Sequence, residues 1–243
     1  MRTLPTTRKR PVNGAVLYHG PSMLDESDIV VIVTGLASGS KNTKTGKMLQ
    51  TWILRADTEP HDAVRNGEDS SVCGACPHSG TSCYVIVERA PLQVHRAWKR
   101  GSYADWTKSL PVHALRGANF RFGSYGDPAA VPFNTWRRIF EQGLSGWTGY
   151  THQWANPQFQ RLRNYFMASA DNVGELLEAH AQGWRTFRVR KAGEPKMRSE
   201  VVCPASEEAG KVTTCANCNL CQGQRLTAKS VVIEAHGFRK GAF

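Results

Sequence analysis

The chain has 243 residues, 40% of them hydrophobic, and its Lys and Arg residues outnumber Asp and Glu by 11. That size allows one large or two small domains with a real core, and excludes reliance on a metal merely for bulk stability. The positive charge favours a polyanionic partner such as a nucleic acid, a nucleotide or an anionic cofactor.

No basic start followed by an apolar run marks a signal peptide, and no stretch approaches about 18 apolar residues, so no membrane is expected and a cytoplasmic protein is. In a reducing compartment, the seven cysteines are expected to be metal ligands or reactive thiols rather than disulfides.

Residues 1–14 (MRTLPTTRKRPVNG) are basic and without period, and read as a flexible arm. Residues 15–243 read as a single α/β domain. "DIVVIVTGLA" and "MLQTWILRA" are predicted strands around the polar loop "SGSKNTKTGK". That loop departs from the P-loop pattern, because Gly46-Lys47 is followed by Met48. As a basic hairpin it could still touch phosphate through Lys41, Lys44 and Lys47.

"CYVIVERAPLQVHRAWKRGSY" suggests a strand or turn entering a helix. "NFRFGSYGDPAAVPFNTWRRIFEQ" reads as strand, Gly-rich turn, then helix entered through Val131-Pro132. "TGYTHQW" is strand-like and leads into a helical "NPQFQRLRN" with Asn156 as N-cap. "NYFMASAD", "NVGELLEAHAQG" and "WRTFRVR" make the clearest β-α-β unit, with Asp171 or Asn172 as N-cap and Gly183 as the stop. "EVVCPAS" and "KSVVIEAHG" complete the strands. Strands alternating with short helices predict a largely parallel sheet, a partial or complete (β/α) barrel-like domain with cysteine-rich loops.

In such a fold, functional side chains lie on loops after strand C-terminal ends. "GSYGDP" places Ser124, Tyr125 and Asp127 there, with Gly123 and Gly126 allowing close approach of another molecule to the backbone. The alternative is a turn in which Asp127 bonds its own backbone. "GYTHQW" offers His152 as a general acid or base, or as a hydrogen-bonded structural residue, and "SAD" adds Ser169. His152, Asp127 and Tyr125 are the catalytic candidates; Ser124, Gly123, Gly126 and Ser169 are the cofactor-binding ones. Arg137, Arg138, Arg161 and Arg163, near Trp and Tyr residues, could form a nucleic-acid surface or the solvated faces of amphipathic helices.

Cys73, Cys76 and Cys83 are spaced C-x2-C-x6-C; Cys203, Cys215, Cys218 and Cys221, within the segment 203–221, are spaced C-x11-C-x2-C-x2-C. Two-residue intervals let thiolates share one metal centre, in zinc and iron–sulfur sites alike. The C-x2-C-x2-C run matches the start of a bacterial ferredoxin site, and Pro follows Cys76 and Cys203. Three ligands in one set and four in the other predict one [4Fe-4S] cluster with an open iron and one closed cluster. The alternative is zinc, with His78 completing the first set, in a nucleic-acid-binding protein without catalysis.

An early cysteine triad in a chain of β-α units, followed by a four-cysteine set near the end, resembles radical S-adenosylmethionine enzymes with an auxiliary cluster. Their usual triad is C-x3-C-x2-C. The resemblance implies a radical-type enzyme, a triad of Cys73, Cys76 and Cys83 that binds S-adenosylmethionine through the open iron, a reductant, and a nucleotide or nucleic-acid substrate. "SKNTKTGKMLQTWILR", "GSYGDPAAVP" and "GYTHQW" are similar to an uncharacterised family of bacteriophage and prophage proteins, which implies a host-cytoplasmic location.

Overall fold

A computed structural model describes residues 12–223 and 227–243. Most of the expected flexible arm lies outside the described residues, and Gly14 already opens the first strand.

The fold is mixed α/β with two sheets. It begins with an antiparallel meander. β1 (Gly14–Pro21) pairs with β2 (Asp28–Thr34), and β2 pairs with β3 (Leu49–Arg55). Ile29 to Val33 are all fully buried. An uninterrupted β-branched run of this kind suits a central strand covered on both faces.

From β3 onward the main run of strands is parallel. β3 pairs with β5 (Asn119–Tyr125), and β5 with β6 (Gly146–Thr148). The short β4 (Ala104–Asp105) closes the other edge of this first sheet, against β1. β7 (Tyr150–Thr151) follows β6 after the single residue Gly149 and starts the second sheet, pairing with β8 (Met167–Ala170). Then β9 (Thr186–Arg190), β11 (Ser230–Glu234) and β10 (Glu200–Val202) add in parallel. A Cβ on Gly149 would lie 2.4 Å from the Phe166 ring, so this junction admits no side chain.

Helices α1 (Pro60–Asn66) and α3 (Ala90–Lys99) lie between β3 and β5, with the single turn α2 (Ser70–Cys73) between them. α4 (Phe133–Phe140) buries Thr135, Trp136 and Ile139 and turns Arg137 outward. α5 (Val173–Ala181) sits between β8 and β9 as expected, capped by Asn172, whose side chain accepts from Glu175 N. Gly183 ends that unit at φ 81°, a conformation that glycine takes without the Cβ penalty. The turn α6 (Cys215–Cys218) lies between β10 and β11.

Two expected elements differ. "CYVIVERA" forms no strand and runs as turns into α3, leaving Tyr84 and Ile86 exposed. Residues Pro157–Asn164 form a 3-10 segment instead of an α-helix, capped by Asn156 as expected.

The main core gathers Phe120, Phe122, Trp136, Phe166 and their aliphatic neighbours. A smaller cluster around Met167, Val231 and Ile233 includes Cys203 and Cys221. Under the second sheet, Arg188 is fully buried and forks onto Glu200 at 2.8 and 2.9 Å, joining β9 to the start of β10. No helix among the described residues is long and apolar enough to cross a membrane.

Candidate metal centre and adjoining cavity

Three strands, β5 in the first sheet and the neighbouring pair β7 and β8 in the second, are each followed by a polar residue at the C-terminal end, the side of a parallel sheet where ligands bind. Asp127 follows β5, His152 follows β7 and Asp171 follows β8. They are linked in sequence. Asp127 Oδ2 accepts from His152 N (2.8 Å), and the His152 ring places Nε2 3.4 Å from Asp171 Oδ2. Asp171 is fixed from behind, because its backbone N donates to Glu175 Oε2 (2.8 Å) in the first turn of α5.

His78 enters from the loop after α2. Its Nε2 lies 2.7 Å from Asp171 Oδ1, and its Nδ1 is 2.6 Å from Ser82 Oγ. Phe243 stacks on the ring at a centroid distance of 5.2 Å. The ligand atoms of His78, His152 and Asp171 therefore converge within 4.8 Å of one another, each side chain half-buried.

The electrostatics are those of a coupled triad. For His152, burial acts to lower the pKa, but the Asp171 carboxylate and the adjacent Cys76 thiol outweigh it and push the value up to about 10. Burial would raise Asp171, yet the two imidazoles hold its carboxyl well below the usual carboxylate range. His152 Nε2 is buried without a well-directed hydrogen bond. Two imidazoles and a carboxylate form a borderline N/O donor set suited to a divalent transition metal, and three protein ligands leave coordination positions open. Ser82 then has the place of the outer partner that orients a ligating histidine.

A second convergent group, Glu59, His61 and Asp62, lies on α1 and its N-terminus. Glu59 is already clamped by Arg96 at 2.8 and 2.9 Å, so its carboxylate is committed to an ion pair.

His78 and His152 line a cavity of about 340 Å³. Cysteines of both sequence clusters line it too: Cys76 and Cys83 of the first, and Cys203, Cys215, Cys218 and Cys221 of the second. Cys73 sits behind it, beside Tyr125. Burial is the first cause that raises the thiols of Cys73, Cys83, Cys203 and Cys215, and it pushes Cys221 up to about 12. The wall also carries Lys44 and Arg121. Burial lowers Lys44, against the nearby Cys203 and Cys215 thiols, which act to raise it. Lys41 and Lys47 of the same basic loop point to solvent.

The iron–sulfur expectation is corrected here. Among the described residues, the convergent groups of His, Cys, Asp and Glu ligand atoms contain no cysteine; they are the two imidazole and carboxylate sets above. The Cys73, Cys76 and Cys83 triad expected to hold an open [4Fe-4S] cluster is not assembled as one, and the radical enzyme and its S-adenosylmethionine fall with it. The zinc alternative fails at the same point, since His78 turns its two ring nitrogens to Ser82 and Asp171 instead of completing a cysteine set.

The other expected site residues divide. His152 lines the cavity, as does Ser169, whose backbone carbonyl also accepts from Trp154 Nε1 (2.9 Å). Asp127 is buried and serves backbone: it takes Ala129 N (2.8 Å) as well as His152 N. Ser124 donates to Gln50 Oε1 (2.7 Å). The buried Tyr125 hydroxyl has no hydrogen-bond partner, and burial raises its pKa, with Cys73 and other acidic groups nearby. Gly123 and Gly126 adopt φ 70° and 86°, and the space beside them is filled by Gly126 O and Ile53.

Arg138 donates to Thr107 O and Trp106 O, Arg161 lies over Phe133, Arg163 donates to Gln182 O, and Arg137 pairs with Glu141. These four arginines are therefore tied to neighbours within the fold.

Sequence reasoning placed Asp171 in the "SAD" cluster and as a possible helix cap but carried only Ser169 forward as a site residue, and it weighed His78 only with the cysteines. The signal for Asp171 was its place directly after β8, equivalent to that of His152 after β7.

No protein-family model, no curated protein and no solved structure matches the chain. The resemblances to radical S-adenosylmethionine enzymes and to a bacteriophage family are corrected on that ground together with the ligand geometry.

Proposed function

We propose that this chain is a metal-binding protein in which His78 Nε2, His152 and Asp171 hold a divalent transition-metal ion at the wall of a ligand cavity. The observation that carries this reading is the convergence of three ligand atoms within 4.8 Å, where His152 and Asp171 at the carboxyl ends of the adjacent parallel strands β7 and β8 meet His78 from the loop after α2. The half-buried imidazoles open onto a cavity large enough for a small organic molecule, so a metal held by them would lie beside a ligand bound there. The barrel-like expectation enters through the same rule, that parallel strands present their chemistry at one end. A nucleotide suits the chain's charge and the cationic side chains in the cavity wall better than a long nucleic acid does.

The test is a titration of metal-free protein with Co2+, followed by its visible absorption. The wild-type chain should bind about one equivalent tightly, and His152→Ala and His78→Ala should each lose most of that affinity. Equal cobalt uptake by the wild type and the double variant would remove the assignment.

A further inference from the structure

The cavity wall carries a second group of polar side chains besides the metal ligands. Arg121 on β5 and Thr148 on β6 are register partners across a parallel pair, so their side chains leave the same face of the sheet. Asn219 follows α6 in the left-handed conformation, at φ 52°, and its amide packs over Gly146, where a Cβ would fall 2.2 Å from Oδ1. All three residues line the cavity. Arg121 Nε, Thr148 Oγ1 and Asn219 Oδ1 are each buried without a hydrogen-bond partner. Buried polar atoms are nearly always paired, and leaving one unpaired costs about 1–3 kcal/mol. Arg121 Nε and Thr148 Oγ1 are donors, and together they mark a place where an acceptor-rich ligand completes the pairing; Asn219 Oδ1 is itself an acceptor, and the Asn219 amide nitrogen is already committed to Ala216 O (3.1 Å).

The charge identifies the ligand. Lys44 reaches the same cavity from the loop whose Lys44 and Thr45 carbonyls accept from Cys215 N (3.0 Å) and Ala216 N (3.1 Å). Its Nζ is 3.2 Å from His236 Nε2. Arg121 also donates to the Tyr84 hydroxyl. Two cations thus share a wall on which, among the described residues, no Asp or Glu stands. A carboxylate, with two oxygens and a single charge, would leave one of the two cations unneutralised. A phosphate monoester offers three oxygens and up to two charges, enough for a guanidinium, an ammonium and a neutral donor together.

We propose that Arg121, Lys44 and Thr148 bind the phosphate of a small phosphomonoester of nucleotide size, whose organic end faces the metal held by His78, His152 and Asp171. The inference deepens the metal-binding reading and rests on it for the orientation of the ligand. Tyr150 and Phe187, whose rings are 4.5 Å apart and both line the cavity, form the apolar wall for the organic body.

Calorimetric titration of the full-length, Co2+-loaded chain with AMP, ribose 5-phosphate and inorganic phosphate tests this. AMP should bind, inorganic phosphate should displace it, and Arg121→Gln and Lys44→Met should each weaken AMP at least 10-fold while leaving Co2+ affinity unchanged. Thr148→Val, nearly isosteric, should weaken it several-fold and covers the case in which Arg121→Gln fails to fold. If Co2+ binds but neither AMP nor phosphate does, or if AMP binds unchanged in the Arg121 and Lys44 variants, the phosphate site is overturned and the metal centre stands. If Co2+ does not bind while AMP binds with the expected dependence on Arg121, the metal reading fails and the phosphate site stands.

Discussion

At Asp171, one carboxylate faces two imidazoles and its own backbone N is fastened to Glu175. Asp171→Asn keeps the shape but removes the charge and should cost at least about 100-fold in Co2+ affinity. Ser82→Ala removes only the oxygen that orients His78 Nδ1 and should cost about 10-fold, the lower end for an outer partner. Direct titration with a chelator competitor separates the two. Gly126 is constrained differently. At φ 86°, an added Cβ would lie 2.6 Å from Ile53 Cβ and 2.9 Å from its carbonyl oxygen, so Gly126→Ala should destabilise by about 1–3 kcal/mol in urea unfolding. The sequence made the small residues at 123 and 126 conspicuous, but not what fills the space beside them. That space is set by β3, more than seventy positions earlier for Ile53, and such non-local packing leaves no local pattern in a sequence.

Among the elements, the unit from β8 through α5 to β9 was legible because period and caps agreed: four buried residues, Asn172 as N-cap and Gly183 as stop. The cysteine turn α6 was legible in spacing and misleading in chemistry. A C-x2-C run states that sulfurs can meet, while burial and neighbours decide whether they do. At Cys221 burial pushes the thiol up to about 12, so the folded form keeps its proton above the ordinary thiol value of 9.0. Between those values the folded chain binds more protons than the unfolded one, so Cys221 makes stability fall as pH rises. At pH 8, iodoacetamide should leave Cys221 unmodified in native protein and label it in guanidinium, read by peptide mass spectrometry. Labelling at the free-thiol rate in the native state would contradict this burial. In the same sheet, Glu200→Ala would leave Arg188 without its fully buried partner. A loss of about 3–5 kcal/mol is expected, and replacing both residues by apolar ones of similar volume should restore part of it.

Across the whole molecule, the site is assembled by topology. Parallel pairing of β7 with β8 sets His152 beside Asp171, and a backbone hydrogen bond ties His152 to Asp127 at the end of β5, although 44 positions separate Asp127 from Asp171. Alternating strand and helix patterns made the α/β class and the strand-end rule readable; which ends would be neighbours required the strand order. Because a metal that binds only the folded chain stabilises it by mass action, Co2+ at 100 times its Kd should add about 2.7 kcal/mol to unfolding. That increment should vanish in the His78→Ala, His152→Ala double variant, as measured by denaturant titration with and without cobalt.

The junction at Gly149 has an evolutionary consequence. Side chains along a strand alternate between faces, so inserting one residue between β6 and β7 would exchange the positions of Tyr150 and Thr151 and carry His152 away from Asp171. Most connections in this fold lie at the surface, where an added residue can be absorbed. Here the chain passes from one sheet to the other in a single step, against the Phe166 ring. Lineages descended from this sequence should therefore vary freely in loop length elsewhere, yet keep the count of residues from Gly146 to His152 unchanged.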